Sequence, residues 1–329
     1  MADPSLLSLL EEAEGGFVSG EEISRKLGIS RTAVWKQIRK LEAEGYTIEA
    51  VPRMGYRIVK RPSRLLRQEI MAHLRTSSFG RHLILLDEVG STQEALRELA
   101  EAGAPEGTLV IAERQTEGRG RMGRTWLSPP GKGIWMSLLL RPLIPLPQIP
   151  QLTLLAAVAM HRAITRITGL DLGIKWPNDL LIKGKKISGI LMESAAEEAR
   201  VKYVLSGIGI SVNLDAEDFP PDIRSKATSL KLAAGREWDR PRIVAEVLDE
   251  FEKLYEIYRN EGFSPIRTLW EMNAVTLGKP AVLNTPAGTV EGVPVSLDDA
   301  GGLVVRMPDG GLQVFYSADV ETIQTEHGM

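Results

Sequence analysis

The chain of 329 residues contains no cysteine and only four histidines. Without a thiol it can form no disulfide, no cysteine nucleophile and no thiolate metal site. Four scattered histidines also argue against a histidine-rich metal centre, so we expect the protein to hold no metal ion of its own. At this length the chain can bury two or three separate hydrophobic cores.

Signals for export and for membrane insertion are also missing. The chain begins Met-Ala-Asp-Pro-Ser, without the basic segment and apolar core of a secretory signal peptide. The longest apolar stretches, such as residues 152–160, are much shorter than the roughly 20 residues that a membrane helix needs. We therefore predict a cytoplasmic protein that has no membrane partner.

The net charge of −3 does not favour a nucleic-acid binder, but the charges are unevenly distributed. Residues 1–24 contain six acidic residues and no basic ones. Residues 25–61 contain ten basic residues against three acidic ones. The overall charge therefore hides a basic face on one small domain.

The amino-terminal segment is predicted to form a winged helix-turn-helix. Apolar periodicity indicates three short helices, of which the second ends at Gly28 and the third is capped by Ser30. Alternating residues on either side of residues 52–55 indicate a β-hairpin wing. Residues 61–63 are expected to link this domain to the next.

The third helix is predicted to enter the DNA major groove. An alternative is a small helical domain that binds protein and whose basic residues are merely solvated. Acidic residues gather in the first helix and basic ones in the third helix and wing, which favours DNA. The residues that we expect nearest to base edges and phosphates are Ser30, Arg31, Thr32, Trp35, Lys36, Arg39 and, on the wing, Arg53.

From residue 65 onward the pattern is mixed α/β. Helices are predicted at residues 91–102, 151–168 and 240–261, and the strands between residues 83 and 212 are not evenly separated by crossovers. We therefore expect a mixed sheet with helices against one face. From about residue 279, short strands separated by Gly and Asp turns indicate a small β-barrel. The predicted domains are residues 1–63, 64–276 and 277–329.

Residues 118–126 read Gly-Arg-Gly-Arg-Met-Gly-Arg-Thr-Trp. Three glycines allow a tight turn with exposed backbone N–H groups, which can form a nest for oxygen atoms. The interleaved arginines can add bidentate hydrogen bonds to an anion. The spacing is not that of a P-loop, and the Pro-Pro-Gly turn that follows argues against a dinucleotide fold. From the residues alone, the choice is between an anion site and a solvated basic hairpin tip.

This loop resembles the ligand loop of the biotin–protein ligases. Four further segments are similar to that family in the same order, namely residues 90–93, 175–179, 185–193 and 207–213. The amino-terminal segment resembles the branch of the family that is also a transcriptional repressor. The resemblance implies an α/β (α+β) multidomain protein with a central class II synthetase-like ligase domain and a carboxy-terminal SH3-like β-barrel.

The resemblance implies that the protein activates biotin with MgATP to biotinyl-5′-AMP. It would then transfer biotin to one lysine of a biotin carboxyl carrier protein, from acetyl-CoA carboxylase or pyruvate carboxylase. In the repressor branch the adenylate-bound homodimer would bind operator DNA and repress the genes of biotin synthesis and transport. The residues implied for biotin and adenylate are Ser91, Thr92, Gln93, Gln115, Gly118, Arg119, Gly120, Arg121, Trp126 and Lys186.

Three residues are expected to carry the chemistry, namely Lys186, Arg121 and Asp179. The fixed distance to Gly189 in Lys-x-x-Gly-Ile-Leu-x-Glu selects Lys186 over its neighbour Lys185. Asp179 resembles the family aspartate that assists the incoming lysine amine, although it could equally hold its own turn or pair with Lys175.

Several of the implied ligand residues have structural alternatives. Ser91 or Thr92 could serve only as a helix cap, and Trp126 could pack in the core rather than against a ligand. Gln93 stands where the family often has asparagine, so its longer amide shifts that contact.

Two alternative functions remain open. The first is a ligase-like domain that senses a small molecule and regulates DNA binding without turnover. A sensor alone would not need Arg119, Arg121, Asp179 and Lys186 together, so catalysis is favoured. The second is a lipoate ligase, which is expected to carry a different glycine-rich motif.

Overall fold

The computed structural model describes residues 5–13, 15–43, 45–60, 64–197 and 200–323, so the predicted linker at residues 61–63 lies outside the described residues. The chain divides into two compact units, Met1–His73 and Leu74–Met329. Within the described ranges, no helix is both long and apolar enough to cross a membrane.

The first unit is the predicted winged helix-turn-helix. Ser30 Oγ accepts a hydrogen bond from Ala33 N at 3.2 Å, as an N-cap does, and Gly28 ends the second helix with a φ of 65°. Ile23, Val34 and Ile38 are buried in its core. The elements are α1 (Leu6–Glu12), α2 (Gly20–Leu27), α3 (Arg31–Ala43), β1 (Thr47–Val51), β2 (Gly55–Lys60) and α4 (Arg67–His73), of which α4 was not predicted.

The second unit is built on a seven-stranded mixed sheet, as predicted, with the order β3-β4-β5-β9-β8-β7-β6. Only β3 and β4 pair in parallel, and every other neighbouring pair is antiparallel. The strands are β3 (Leu83–Val89), β4 (Leu109–Gln115), β5 (Ile134–Leu140), β6 (Gly173–Lys175), β7 (Asp179–Ile182), β8 (Lys185–Glu197) and β9 (Arg200–Ile210).

Helices cover both faces of this sheet, which corrects the expectation of one covered face. Leu96 packs against Val110 on one face. Leu109 points to the opposite face, where its side chain and that of Leu248 both lie against Gly80. The helices of this unit are α5 (Thr92–Glu101), α6 (Ile149–Thr168), α7 (Leu230–Ala234), α8 (Arg240–Glu261) and α9 (Ser264–Met272).

The carboxy-terminal part of the second unit is a five-stranded antiparallel sheet with the order β13-β12-β11-β10-β14. The first half of β11 pairs with β10 and its second half, from Val293, with β12, and the register of this second pairing shifts between Pro294 and Ser296. The last strand was not predicted, and it pairs with β10. The strands are β10 (Ala281–Thr285), β11 (Gly288–Leu297), β12 (Leu303–Arg306), β13 (Leu312–Phe315) and β14 (Asp319–Thr322).

Glu252 on α8 anchors the turn that precedes β3. Its carboxylate accepts hydrogen bonds from the backbone N–H groups of Ser77, Ser78 and Phe79 at 2.6–2.8 Å. Burial acts to raise the pKa of Glu252, but these donors together outweigh it and hold the pKa below its usual 4.5. The carboxylate therefore stabilises the fold at neutral pH.

We expect Glu252→Gln to lower the free energy of unfolding by about 2 kcal/mol at pH 7, because it replaces a charged acceptor of several hydrogen bonds. Because folding lowers the pKa of Glu252, the difference in the free energy of unfolding between variant and wild type is present in full above the pKa of the unfolded chain. That difference shrinks as the pH falls below this value. Urea unfolding at pH 7 and at acidic pH measures this. Glu256→Gln, on an exposed position of α8, is the control, and an equal loss in both variants would contradict the prediction.

Candidate functional site

The predicted ligand residues surround one cavity of about 930 Å³ in the second unit. Its walls come from the start of α5, the loop at residues 118–126, strands β7 to β9 and strand β14. Gly118 does not line the cavity. The predicted residues that do line it are Ser91, Thr92, Gln93, Gln115, Arg119, Gly120, Arg121, Trp126, Asp179 and Lys186.

The arginine loop, residues 118–126, is a short hairpin. Gly120 N donates to Arg124 O at 2.7 Å, and Trp126 N donates to Gly118 O at 2.8 Å. Gly118 must be glycine here, because an added Cβ would lie 2.5 Å from Trp126 O. The expected nest is therefore not formed by these N–H groups, since they are used within the hairpin.

Each arginine of the loop contacts an oxygen-bearing side chain from another element. Arg119 pairs with Glu94 on α5, and Arg124 pairs with Asp319 on β14. Arg121 donates at 3.2 Å both to Asn178 Oδ1 and to Ser317 Oγ. Burial lowers the pKa of Arg121, whereas Asp319 and Asp179 act to raise it, and the group remains a cation in the pocket wall.

A polar corner lies at the start of α5. Gln115 Oε1 accepts from Thr92 N at 2.9 Å and from Thr92 Oγ1 at 3.1 Å, and Gln115 Nε2 donates to Ser128 Oγ at 3.0 Å. Ser91 is the residue before the helix but makes no side-chain cap hydrogen bond. The capping alternative therefore does not account for Ser91, whose buried hydroxyl lies at the cavity.

Glycines on β8 and β9 accommodate side chains of the protein itself. A Cβ on Gly209 would lie 2.4 Å from the Trp126 indole, and one on Gly189 would lie 2.9 Å from it. A Cβ on Gly207 would likewise lie 2.7 Å from the side-chain amide of Gln93. The side chains of Trp126 and Gln93 thus lie directly against the backbone of these strands. Trp135 is fully buried in the adjoining core.

Lys186 and Asp179 form an ion pair at the cavity, with 2.7 Å between Nζ and Oδ1. The ammonium group also lies 5.3 Å from the centre of the Trp126 ring, which is the geometry of a cation–π contact. Asp179 therefore pairs with Lys186 rather than with Lys175. Among the described residues Lys175 forms no ion pair, although it lines the same cavity.

The predicted DNA-binding residues of the first unit lie on one surface of α3 and on the wing, and all of them are exposed. Trp35 is 50% exposed and carries Arg39 over its ring at 5.2 Å. Arg31 pairs with Glu21 at 3.2 Å. Ser30 acts as the helix cap, so its hydroxyl is already engaged. In the part of the chain that the structure describes, Lys36 and Arg53 have no ion-pair partner.

Four residues of the site were not predicted, namely Glu94, Asn178 as a partner of Arg121, Ser317 and Asp319. Glu94 lies next to a predicted segment and could have been found as a nearby acid. Ser317 and Asp319 follow the arginine loop by almost 200 residues, and no local pattern connects them with it.

Comparison with known proteins is consistent with this geometry. Residues 86–211 match the "Biotin/lipoate A/B protein ligase family", residues 5–57 match an "HTH domain", and residues 276–322 match the "Biotin protein ligase C terminal domain". The chain is 50% identical to the "Bifunctional ligase/repressor BirA" of Bacillus subtilis, over 96% of this chain and 97% of that protein. It is 34% identical to the "Biotin--[acetyl-CoA-carboxylase] ligase" of Paracoccus denitrificans, over 72% and 98%.

Among solved structures, the chain is similar to the biotin protein ligase of Aquifex aeolicus in complex with biotin and ATP. The TM-score is 0.64 at 32% identity, over 74% of this chain and all of that one. The similarity of both sequence and structure therefore includes the cavity-bearing unit.

The contact between Trp126 and Gly209 gives a test of the site geometry. We expect Gly209→Ala to destabilise the protein by ~1–3 kcal/mol, because its methyl group overlaps the indole. In a Trp126→Ala background the same change should cost under about 1 kcal/mol, since the overlap is gone. Urea unfolding of the four proteins measures this, and the same cost in both backgrounds would show that the indole does not lie on Gly209.

Proposed function

The chain belongs to the biotin protein ligase family, in its bifunctional ligase/repressor branch, and from this premise we propose that it biotinylates a carrier protein and represses transcription. The substrates are biotin and ATP, the latter as its magnesium complex, and the acceptor is one lysine of a biotin carboxyl carrier protein. The observation that carries the proposal is the convergence of Arg121, Lys186 and Asp179 on one cavity.

The first step joins biotin to AMP. A carboxylate oxygen of biotin attacks the α-phosphorus of ATP, the bond between that phosphorus and the bridging oxygen breaks, and pyrophosphate leaves. The protein's work is to position two anions and to neutralise phosphate charge. Among the cations that line the cavity, we assign Arg121 and Lys186 to this purpose, and the corner of Ser91, Thr92 and Gln115 offers polar groups for the head of biotin.

The second step transfers biotin to the acceptor. The lysine amine attacks the acyl carbon of the adenylate, AMP leaves, and the amine loses a proton. Asp179 lies at the cavity and is the carboxylate that we assign to orient this amine or receive its proton. Its ion pair with Lys186 supports this role, because an adenylate phosphate that attracts Lys186 releases Asp179 for the amine.

The first unit supplies the second activity. A winged helix reads one half-site, so a symmetric operator requires two copies of the chain. We propose that adenylate favours a homodimer formed along an exposed strand of the ligase sheet, and that this dimer represses biotin synthesis and transport genes. ATP, operator DNA and carrier domains meet in the cytoplasm, which is where we place the protein.

Biotin plus MgATP should release pyrophosphate, and the adenylate should stay bound until a carrier domain is added. Lys186→Ala and Arg121→Ala should weaken adenylate retention roughly 10- to 150-fold, since each loses contacts to charged groups worth about 1.5–3 kcal/mol. Pyrophosphate release and adenylate dissociation are the measurements.

Lys185→Ala is the matched control, because Lys185 is exposed and adjacent to Lys186. Equal effects of the Lys185 and Lys186 variants would show that the site is misplaced. Release that depends on lipoate would identify a lipoate ligase, and binding without release would identify a sensor without turnover.

Adenylate should increase operator affinity by mass action on the dimer. Lys36→Ala should weaken operator binding and reduce the salt dependence by about one unit of slope, as expected for a lost phosphate contact, while biotinylation stays intact. Electrophoretic mobility shifts at two salt concentrations, with and without biotin and ATP, measure both. Lys253→Ala, an exposed lysine of the second unit, is the control. Operator binding that ignores adenylate at every protein concentration would refute the coupling.

A further inference from the structure

Strand β5 is buried along its whole length and carries a single hydroxyl group, that of Ser137. A buried hydroxyl costs free energy unless it forms a hydrogen bond, so its partner indicates what the residue does. Ser137 Oγ lies 2.8 Å from Thr92 Oγ1, at the start of α5. Thr92 lines the cavity, whereas Ser137 lies behind it. A side chain outside the cavity lining therefore contacts a hydroxyl of the polar corner.

The direction of this hydrogen bond follows from Gln115. Its Oε1 accepts from the backbone N–H of Thr92 at 2.9 Å, which fixes which side of the amide is the oxygen. Thr92 Oγ1 lies 3.1 Å from the same oxygen, so the Thr92 hydroxyl donates its one proton there. If Thr92 donated to Ser137 instead, two oxygens would face each other with no proton between them. Ser137 is therefore the donor to Thr92.

The same direction continues beyond Gln115. Gln115 Nε2 donates to Ser128 Oγ at 3.0 Å, so three successive bonds run from Ser137 through Thr92 and Gln115 to Ser128. Hydrogen bonds in such a chain polarise and strengthen one another. Gln115 Oε1 already accepts two of them, and what this amide still offers to the cavity is the second hydrogen on Nε2.

We propose that Ser137 is a positioning residue for the ligand of the polar corner and that it acts through Thr92 and Gln115. The inference rests on the proposed function, in which this corner holds the head of biotin. That head is a cyclic urea, whose carbonyl oxygen accepts hydrogen bonds. An amide held with its N–H toward the cavity matches this oxygen. Without Ser137, the Thr92 oxygen loses its donor at a position that is only 3% exposed, and the amide loses the group that orders and polarises it.

Removal of the Ser137 hydroxyl tests the proposal. We expect Ser137→Ala to weaken biotin binding about three- to tenfold, as for the loss of one buried neutral hydrogen bond. Ser137→Cys, which has a weaker donor, should lie between the alanine variant and wild type. Isothermal titration calorimetry gives the dissociation constants. In pyrophosphate release the KM for biotin should rise, whereas kcat and the KM for ATP should stay unchanged.

Ser206→Ala is the matched control. Ser206 is a serine of the neighbouring strand β9, is as deeply buried as Ser137 and lies outside the cavity lining. Its hydroxyl has no hydrogen-bond partner in the described part of the chain. The substitution should therefore leave the dissociation constant for biotin unchanged. Equal weakening in Ser137→Ala and Ser206→Ala would show a general effect of the core and overturn the proposal.

A double-mutant cycle tests whether Ser137 acts through Thr92. Thr92→Val removes the hydroxyl that connects Ser137 with Gln115, so in this background Ser137→Ala should change the dissociation constant less than about twofold. The full effect in both backgrounds would overturn the proposal, as would biotin binding that neither Ser137 variant alters. If wild type itself bound no biotin, the proposed function would fail, and that outcome is distinct from normal binding without a difference between variants.

Discussion

The contact of the Trp126 indole with the glycines of β8 and β9 is the constraint on which the site depends. Because Gly189 and Gly209 have no Cβ, the ring lies directly on the sheet, and any larger residue would displace it. The end of the arginine loop is thereby held down, while the backbone bond from Trp126 to Gly118 holds its beginning. The arginines consequently project from a fixed base toward α5 on one side and β14 on the other.

The same indole also positions the charge at the centre of the pocket. Lys186 lies over the ring and pairs with Asp179. One lysine therefore contacts both the indole and the carboxylate that we propose for the acceptor amine. Arg121, Lys186 and the other loop arginines each contact an acid or a polar side chain of the protein, whereas Lys175 lines the same cavity and forms no ion pair among the described residues.

Features that depend only on neighbouring residues, such as helix ends and tight loops, could be predicted from the sequence. Gly28 predicted the end of α2 and Ser30 the start of α3, and several residues of the Gly-Arg loop line the cavity that we propose for the ligand. Contacts between distant segments could not be predicted. Arg124 meets Asp319 across 195 residues, and the helices cover both faces of the sheet for reasons of packing that strand spacing does not encode. Composition also does not reveal that the N–H groups of Gly120 and Trp126 are used within the hairpin.

The residues proposed for catalysis and those proposed for DNA lie in different compact units, so adenylate and operator do not share a binding residue. We propose that their coupling is a difference in free energy between association states. Linkage makes this coupling reciprocal: if adenylate increases operator affinity by favouring the dimer, operator DNA increases adenylate retention by the same factor. Under this proposal, a carrier lysine that consumes the adenylate removes the ligand that favours repression. Demand for biotinylation and release of the operator would then be linked through the amount of bound adenylate.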